Sequence, residues 1–143
     1  MPKQIFLVRH ADYCGGGLDP VLSEYGKRQS LKLAKKIKES LGIGDVTIWS
    51  SSANRARETA EIIKQEMQLA EMVIEGLLWS DRYHPHNFTW LKKKIDSFEG
   101  DILIIVSHAE YVREFPSTIG FRENGAGYAQ GVKIEDKKCV GFG

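Results

Sequence analysis

The chain has 143 residues, of which 42% are hydrophobic and 27% are charged, a composition typical of a globular protein with its own core. The formal net charge of +1 provides no overall field that would favour nucleic acid or an anionic membrane surface. The apolar runs are shorter than the roughly 18–20 residues that cross a bilayer, and the first begins too early to leave room for a signal peptide. Cys14 and Cys139 lie far apart, in no spacing that suggests a metal or redox site. We therefore expect one domain, residues 1–143, in the cytoplasm.

Apolar runs and amphipathic segments alternate along the chain. Strands are predicted, in chain order, at residues 4–9, 46–50, 72–75 and 101–108. Helices are predicted after the N-cap residue Ser23, after the polar corner at 51–54, at 89–98 and from 109 onwards. Loops are expected at 14–17 and 76–90, and a terminal hairpin is expected to turn near Asp136. This alternation predicts an α/β fold with a mostly parallel central sheet, in which ligands bind beyond the carboxyl ends of the strands.

Polar residues follow three of the predicted strands at the point where each strand ends. The sequences there are "LVRHAD" (7–12), "IWSSSANRARETA" (48–60) and "IIVSHAE" (104–110). If these strands are parallel neighbours, two histidines and two arginines converge: His10, His108, Arg9 and either Arg55 or Arg57. Four potential cations repel one another, so the cluster suits a doubly charged anion better than a structural role. Guanidinium groups bind phosphate through paired hydrogen bonds, helix N-termini add N–H donors, and a neutral imidazole can act as a nucleophile.

Four motifs, in this order, resemble those of the histidine phosphatase superfamily, also called the phosphoglycerate mutase-like family. "LVRHAD" is similar to its arginine-histidine-glycine/alanine signature, and "LSEYGKRQS" (22–30) to its leucine-threonine-x-x-glycine-x-x-glutamine element. "SSANRARETAEII" (51–63) is similar to its serine-x-x-x-arginine-alanine-x-x-threonine-alanine element, and "VSHAE" (106–110) to its second-histidine motif. The resemblance implies a three-layer α/β/α fold and a phosphoryl-transfer chemistry that needs no metal ion or other cofactor.

The same resemblance implies a role for each matching residue. His10 aligns with the nucleophile that becomes phosphohistidine, and His108 with the second histidine, which contacts the phosphoryl group. Arg9 and Arg55 align with the arginines that clamp the phosphate. Arg57 lies one helical step away from the motif position, and we expect it at the surface.

The sequence leaves open which residue protonates the leaving group. Larger members of the family carry a glutamate after the third strand, where this chain reads "EGLLWSDRY", so Asp81 is the nearest carboxylate and Glu75 a second candidate. Asp12 and Glu110 each lie two residues past a histidine and are further candidates for proton transfer or for substrate binding. The short chain, with "CGGG" at 14–17 where the mutases carry an asparagine, resembles the small SixA-like phosphohistidine phosphatases.

These features together imply metal-independent hydrolysis of a phosphomonoester or of protein phosphohistidine, through a phosphohistidine intermediate on His10. The alternatives are a phosphoglycerate mutase-type phosphotransferase and a non-catalytic phosphate-binding module on the same fold. The expected partner is a phosphorylated small molecule or phosphoprotein, and neither nucleic acid nor a membrane. The physiological substrate and the oligomeric state stay open.

The remaining polar segments have simpler interpretations. Specificity is expected to come from the loops at 12–22, 76–90 and 114–127. "HPH" at 84–86 is interpreted as part of a loop in which His84 or His86 contacts substrate and not as a metal site, since no further ligand cluster accompanies it. Four lysines of the first predicted helix are interpreted as a solvated helix face: Lys32, Lys35, Lys36 and Lys38.

Overall fold

A six-stranded sheet forms the centre of the computed structural model, which describes residues 1–122 and 127–143. The strands are β1 (Gln4–Arg9), β2 (Tyr13–Cys14), β3 (Val21–Leu22), β4 (Val46–Ser50), β5 (Val73–Ile74), β6 (Ile102–Ser107), β7 (Gly131–Glu135) and β8 (Lys138–Phe142). The helices are α1 (Glu24–Ser40), α2 (Asn54–Glu66), α3 (Phe88–Asp96) and α4 (Ala109–Thr118), and a 3₁₀ turn lies at Gly76–Leu78. The central sheet has the order β5-β4-β6-β1-β7-β8, whereas β2 and β3 pair only with each other.

The central sheet is mostly parallel. Strands β5, β4, β6 and β1 run in one direction, and β7 and β8 are antiparallel additions at one side. The predicted α/β class with a mostly parallel sheet is therefore confirmed. The parallel strands place their carboxyl ends at one edge, which is where the polar residues of the sequence motifs follow them.

The core has two apolar layers, one on each face of the sheet. Along β1, Phe6 and Val8 point into the layer covered by α1 and α2, whereas Ile5 and Leu7 point into the layer covered by α3 and α4. Every residue of β6 is buried, because the side chains of an inner parallel strand alternate between two covered faces. The molecule thus has the three-layer α/β/α architecture that the family resemblance implied.

Side-chain caps mark the beginning of two of the helices, α1 and α3. The Ser23 hydroxyl accepts a hydrogen bond from the Gly26 N–H at 2.9 Å, which satisfies one of the donors at the start of α1. The Asn87 side chain does the same for α3, accepting from the Trp90 N–H at 3.0 Å. At the other end of the chain, Asp136 and Lys137 have φ angles of 51° and 59°, as a two-residue hairpin turn requires. The predicted N-cap and hairpin are both confirmed.

Each of the predicted loops contains some regular structure. In the loop predicted at 76–90, a 3₁₀ turn lies at Gly76–Leu78 and α3 begins at Phe88. Cys14 belongs to β2, which pairs with β3 through the short ladder that Tyr13 starts, so the segment 14–17 is a loop only after its first residue. The predicted loop 114–127 is wrong at its start, because α4 continues through Pro116 to Thr118. Burial of Phe115 and Pro116 against the sheet keeps this last turn helical. Residues 123–126 of that predicted loop lie outside the described residues.

Within the two described ranges, the helices are too short or too polar to cross a lipid bilayer.

Candidate active site

Two histidines and one arginine meet at the carboxyl edge of the sheet. His10 follows β1 and His108 follows β6, and these parallel neighbours are aligned so that Arg9 lies opposite Ser107. Arg55 lies in the first turn of α2, which follows β4 on the other side of β6. His10, His108 and Arg55 are only 3%, 2% and 7% exposed. Three of the residues that the sequence motifs singled out are therefore neighbours in one buried cluster.

The Arg55 guanidinium bridges the two imidazole rings. Its Nε donates to His10 Nε2 at 3.3 Å, and its Nη2 donates to His108 Nδ1 at 3.4 Å. The ring centroids of the two histidines are 5.1 Å apart. One guanidinium thus faces a nitrogen lone pair on each ring, and the three side chains converge on a single point.

The tautomer of His10 follows from its hydrogen bonds. His10 Nδ1 lies 2.8 Å from the Ala11 carbonyl oxygen, and a carbonyl can only accept, so Nδ1 carries the proton. Nε2 then has a free lone pair, which accepts from Arg55. The Ala11 N–H is itself held by the Thr59 hydroxyl at 3.1 Å, which anchors this stretch of backbone to α2. His10 therefore presents Nε2, the ring nitrogen with the free lone pair, to the cluster.

His108 has the opposite tautomer. Because its Nδ1 accepts from Arg55, its proton lies on Nε2, which donates to the Ser51 hydroxyl at 2.8 Å. Ser51 directly follows β4, and His108 is the N-cap residue of α4, so both partners are fixed by the ends of regular elements. The ring is held with Nδ1 directed at the same point as His10 Nε2.

Both histidines are neutral at neutral pH. Burial lowers the pKa of His10 to about 3. The hydrogen bond to Ala11 opposes this shift, and the charge of Arg55 adds to it. Burial, together with the charges of His10 and Arg55, lowers the pKa of His108 to about 2. The repulsion expected among four cations is thus relieved, because the two histidines are uncharged.

Two tyrosines and Arg9 surround the His10 ring. Tyr13 and Tyr128 have ring centroids 5.6 Å and 5.8 Å from that of His10. The Arg9 guanidinium carbon lies 4.2 Å from the Tyr128 ring centre, and that of Arg55 lies 5.4 Å from the Tyr13 ring centre. The sequence motifs did not identify either tyrosine. Tyr13 is three residues past His10 and could have been suspected, but no pattern links Tyr128 to the motifs.

Residues 5–78 match the family profile of the histidine phosphatase superfamily (branch 1). The chain belongs to the histidine phosphatase superfamily. The matched range includes Arg9, His10 and Arg55 and ends before His108. A curated relative, the fructose-2,6-bisphosphatase of Saccharomyces cerevisiae, is 26% identical over 128 residues, which make up 86% of this chain and 24% of that protein. The chain thus spans about a quarter of the length of the curated relative that it matches.

Solved structures of other proteins share this histidine phosphatase fold. A protein histidine phosphatase SixA complexed with tungstate superimposes with a TM-score of 0.82 at 14% identity, over 96% of this chain and 93% of its own. A protein named SixA from Agrobacterium tumefaciens gives 0.74 at 18% identity, over 100% and 97% of the two chains. A phosphoglycerate mutase from Plasmodium falciparum gives 0.66 at 19% identity, over 98% and 88%. At these identities the likeness concerns the fold.

In this histidine phosphatase chain, Asp81 is the carboxylate that contacts the arginine of the cluster. Its Oδ2 lies 3.7 Å from Arg55 Nη2 and accepts from Trp79 Nε1 at 2.8 Å. Its Oδ1 accepts from the Tyr83 N–H at 2.8 Å, from the His84 N–H at 2.9 Å and from His84 Nδ1 at 2.8 Å. Partial burial would raise the pKa of Asp81, but the hydrogen bonds from His84, Tyr83 and Trp79 together hold that pKa at about 2.

The other carboxylates that the sequence offered contact residues outside the cluster. Asp12 accepts from the Ser23 hydroxyl at 2.6 Å, Glu110 accepts from the Ser80 hydroxyl at 2.8 Å, and Glu75 forms an ion pair with Lys94 at 2.8 Å. Each of these groups is therefore bonded to its own local partner.

The remaining predicted side chains lie at the rim or outside the cluster. Arg57 is exposed, as expected from its offset to the motif. His84 stacks on Trp79 and His86 stacks on Phe88, each with ring centroids 4.1 Å apart. Among residues 1–122 and 127–143, no group of three or more His, Cys, Asp or Glu side chains is placed to hold a metal ion.

Proposed function

We propose that this chain is a phosphatase that hydrolyses a phosphomonoester or a protein phosphohistidine through a covalent intermediate on His10. The observation that carries the proposal is the orientation of two neutral, buried imidazoles toward one guanidinium. His10 Nε2 and His108 Nδ1 both accept from Arg55, so both rings offer a lone pair at the point where a phosphoryl group would bind. A buried cation between two fixed rings suits a tetrahedral dianion.

The first step transfers the phosphoryl group to the enzyme. Oxygen atoms of the substrate phosphate take over the donors of Arg55 and the charge of Arg9, which leaves the lone pair of His10 Nε2 free to attack phosphorus. The P–N bond forms while the bond from phosphorus to the leaving group breaks. The negative charge of the bound phosphoryl group raises the pKa of His108, which takes up a proton from solvent at Nδ1 and donates a hydrogen bond from it to a phosphoryl oxygen.

The second step regenerates the enzyme. Water attacks the phosphorus of the phosphohistidine, the P–N bond breaks, and inorganic phosphate leaves while His10 returns to its neutral tautomer. The hydrogen bond from His10 Nδ1 to the Ala11 carbonyl keeps the ring orientation through both steps. His10 therefore needs no rotation during the cycle.

The carboxylates of the site favour a leaving group that needs little proton assistance. Asp81 is ionised at neutral pH, because its hydrogen bonds hold its pKa at about 2, so it is poorly suited to act as a general acid. We assign it the role of orienting Arg55 through their 3.7 Å contact. A phosphohistidine or an aryl phosphate releases a stable leaving group without a strong acid, and both suit this site better than an alkyl phosphate.

The proposed function is tested with an aryl phosphate substrate and trapping of the intermediate. Wild-type protein should turn the substrate over, and rapid quenching with labelled substrate should give an acid-labile, base-stable phosphoenzyme. His10→Ala should abolish both signals with the circular dichroism spectrum unchanged. Arg55→Ala should lose most turnover, while Arg57→Ala, on the exposed face of the same helix, should retain it and serves as the matched control.

Three results would contradict the proposal in different ways. Near wild-type turnover by His10→Ala would rule out the covalent step. Isomerisation of phosphoglycerate would favour the mutase-type alternative. Tight binding of tungstate without turnover of any phosphate ester would favour a non-catalytic phosphate-binding module.

We also infer one domain over residues 1–143 and a cytoplasmic location. Strands from both ends of the sequence pair in one sheet, since β1 lies between β6 and β7. Cys14 and Cys139 are both in the thiol form, and Cys14 is exposed, which suits a reducing compartment.

A further inference from the structure

A cavity lies outside the histidine cluster, along the side of α1. It has a volume of about 300 Å³, and its lining includes Arg28, Lys32 and Lys36 from α1 and Tyr128 from the opposite side. The charged side chains in its lining are all basic, and none of the described residues that line it has a carboxylate side chain. We refer to this cavity as the α1 groove.

Within the described residues, the three cations of the α1 groove form no ion pair with a carboxylate. The one ion pair that α1 forms there joins two of its own residues, Lys27 and Glu24, at 3.0 Å. Arg28 lies 5.8 Å from the Tyr25 ring centre, and Lys36 is half-buried. Like charges four residues apart destabilise a helix, so the row Arg28-Lys32-Lys36 weakens α1. Because a negatively charged ligand would offset this repulsion, a binding role explains the row better than a solvated helix face does.

The α1 groove adjoins the proposed active site. Tyr128 lines the groove and also stacks against Arg9 and lies beside His10. Gln29 lines the groove and accepts a hydrogen bond from the Asp12 N–H at 2.9 Å, which fixes the backbone just after the nucleophile. A molecule in the groove would therefore be next to a phosphoryl group bound at His10.

The shape of the cationic row identifies the kind of ligand. From Arg28 to Lys36 is eight residues of helix, or roughly 12 Å. An extended polypeptide covers that distance with roughly four residues. A compact dianion would instead need cations that converge on one point, as Arg9 and Arg55 do at the histidines. The net charge of only +1 also provides no overall positive field that would favour a nucleic acid.

We propose that the α1 groove binds an acidic segment of a phosphoprotein substrate, next to the residue that carries the phosphoryl group. This inference rests on the proposed function and narrows its substrate class from any phosphate compound to a protein with acidic residues near the modified one. It also changes the interpretation of the α1 lysines. Lys32 and Lys36 line the groove, whereas Lys35 and Lys38 do not and remain a solvated face.

The experiment measures peptide binding separately from catalysis. The probes are two fluorescent phosphohistidine peptides that differ only in four flanking residues, aspartates in one and serines in the other, each made with the flank on either side. Binding is measured by anisotropy on His10→Ala, which does not consume the peptides. We expect the aspartate peptide, in its better arrangement, to bind roughly tenfold more tightly than the serine peptide, and the preference to fall with salt.

Charge reversal assigns the preference to the α1 groove. In the His10→Ala background, Lys32→Glu with Lys36→Glu should remove the preference for aspartate. The matched control, Lys35→Glu with Lys38→Glu, makes the same change of charge on the same helix outside the groove and should preserve it. Circular dichroism checks that both double variants keep the fold.

The outcomes separate this inference from the proposed function. Equal affinity for the two peptides, or the same loss in both double variants, would overturn the inference while turnover of an aryl phosphate by the wild type still supports a phosphatase. Absence of that turnover would instead overturn the proposed function. Tighter binding of a single-stranded oligonucleotide than of the aspartate peptide would overturn the choice of an acidic protein.

Discussion

The guanidinium of Arg55 lies 3.7 Å from the carboxylate of Asp81, and the atom that makes this contact, Nη2, is the one that donates to His108. Asp81 is in turn fixed by Trp79 and by both the backbone and the ring of His84. The loop after the 3₁₀ turn therefore contacts Arg55 through Asp81, and Arg55 in turn contacts the two histidines. This contact places Asp81 so that it can orient Arg55, a role that differs from donating a proton.

Replacement of Asp81 by Asn tests this distinction. Loss of the partly buried ion pair should weaken the positioning of Arg55 by about 1 kcal/mol, which lowers kcat/KM roughly fivefold. Because the group is ionised and not an acid, the loss should be the same for a nitrophenyl phosphate as for an alkyl phosphate. Steady-state kinetics on both substrates check this. A loss confined to the alkyl phosphate would identify Asp81 as the proton donor.

The buried neutral histidines should make the protein sensitive to acid. Their pKa is 6.5 in the unfolded chain, but about 3 for His10 and about 2 for His108 in the folded one. Below pH 6.5 only the unfolded chain takes up these protons, so stability present above that pH is lost as the pH falls toward 3. Each histidine should reduce the free energy of unfolding by about 1.4 kcal/mol per pH unit in that window.

Urea unfolding at a series of pH values measures this slope. His108→Gln removes one titrating group while keeping a polar side chain, so its slope should be shallower than that of the wild type by the contribution of one histidine. An identical slope in His108→Gln and the wild type would show that His108 is not held neutral.

Ser51 should fix the tautomer of His108. Its hydroxyl accepts the Nε2 proton at 2.8 Å, which leaves Nδ1 as the acceptor that faces Arg55. Ser51→Ala removes that acceptor, so we expect kcat to fall roughly tenfold with a smaller change in KM, as for other partners that orient a functional histidine. Ser51→Thr should restore part of the loss, and Ser52→Ala is the neighbouring control. Wild-type kcat in Ser51→Ala would remove Ser51 from this role.

The sequence was sufficient for the sheet and for the convergence of the main site residues. The apolar runs of β1 and β6 are covered on both faces, and such runs are readable from composition alone. Once those strands are parallel neighbours, His10 and His108 must follow them at the same edge. The position of Arg55 required only that α2 begin directly after β4.

The contacts that decide chemical roles were not readable from the sequence. The neutral state of His10 depends on burial and on the charge of Arg55, and the ionised state of Asp81 depends on hydrogen bonds from Trp79 and His84. All of these are properties of the packed structure. Tyr128 is far from the motifs along the chain and joins the site only because β7 pairs with β1. Short-range patterns carry no information about such contacts.

Gly26 should be essential for the backbone that follows the nucleophile. It lies in the buried first turn of α1, where an added Cβ would overlap the carbonyl oxygen of Asp12. Gly→Ala within a helix is normally stabilising, but here α1 or the backbone of Asp12 must move. We expect Gly26→Ala to lower the free energy of unfolding by about 2 kcal/mol.

The same change should also lower kcat/KM, because Asp12 directly follows Ala11, whose carbonyl holds His10 Nδ1. Urea unfolding and aryl phosphate kinetics measure the two effects. Gly76→Ala is the matched control, since a Cβ there meets no atom within 4 Å. If Gly26→Ala were as stable and as active as Gly76→Ala, the close packing of α1 against Asp12 would not be what holds the nucleophile in place.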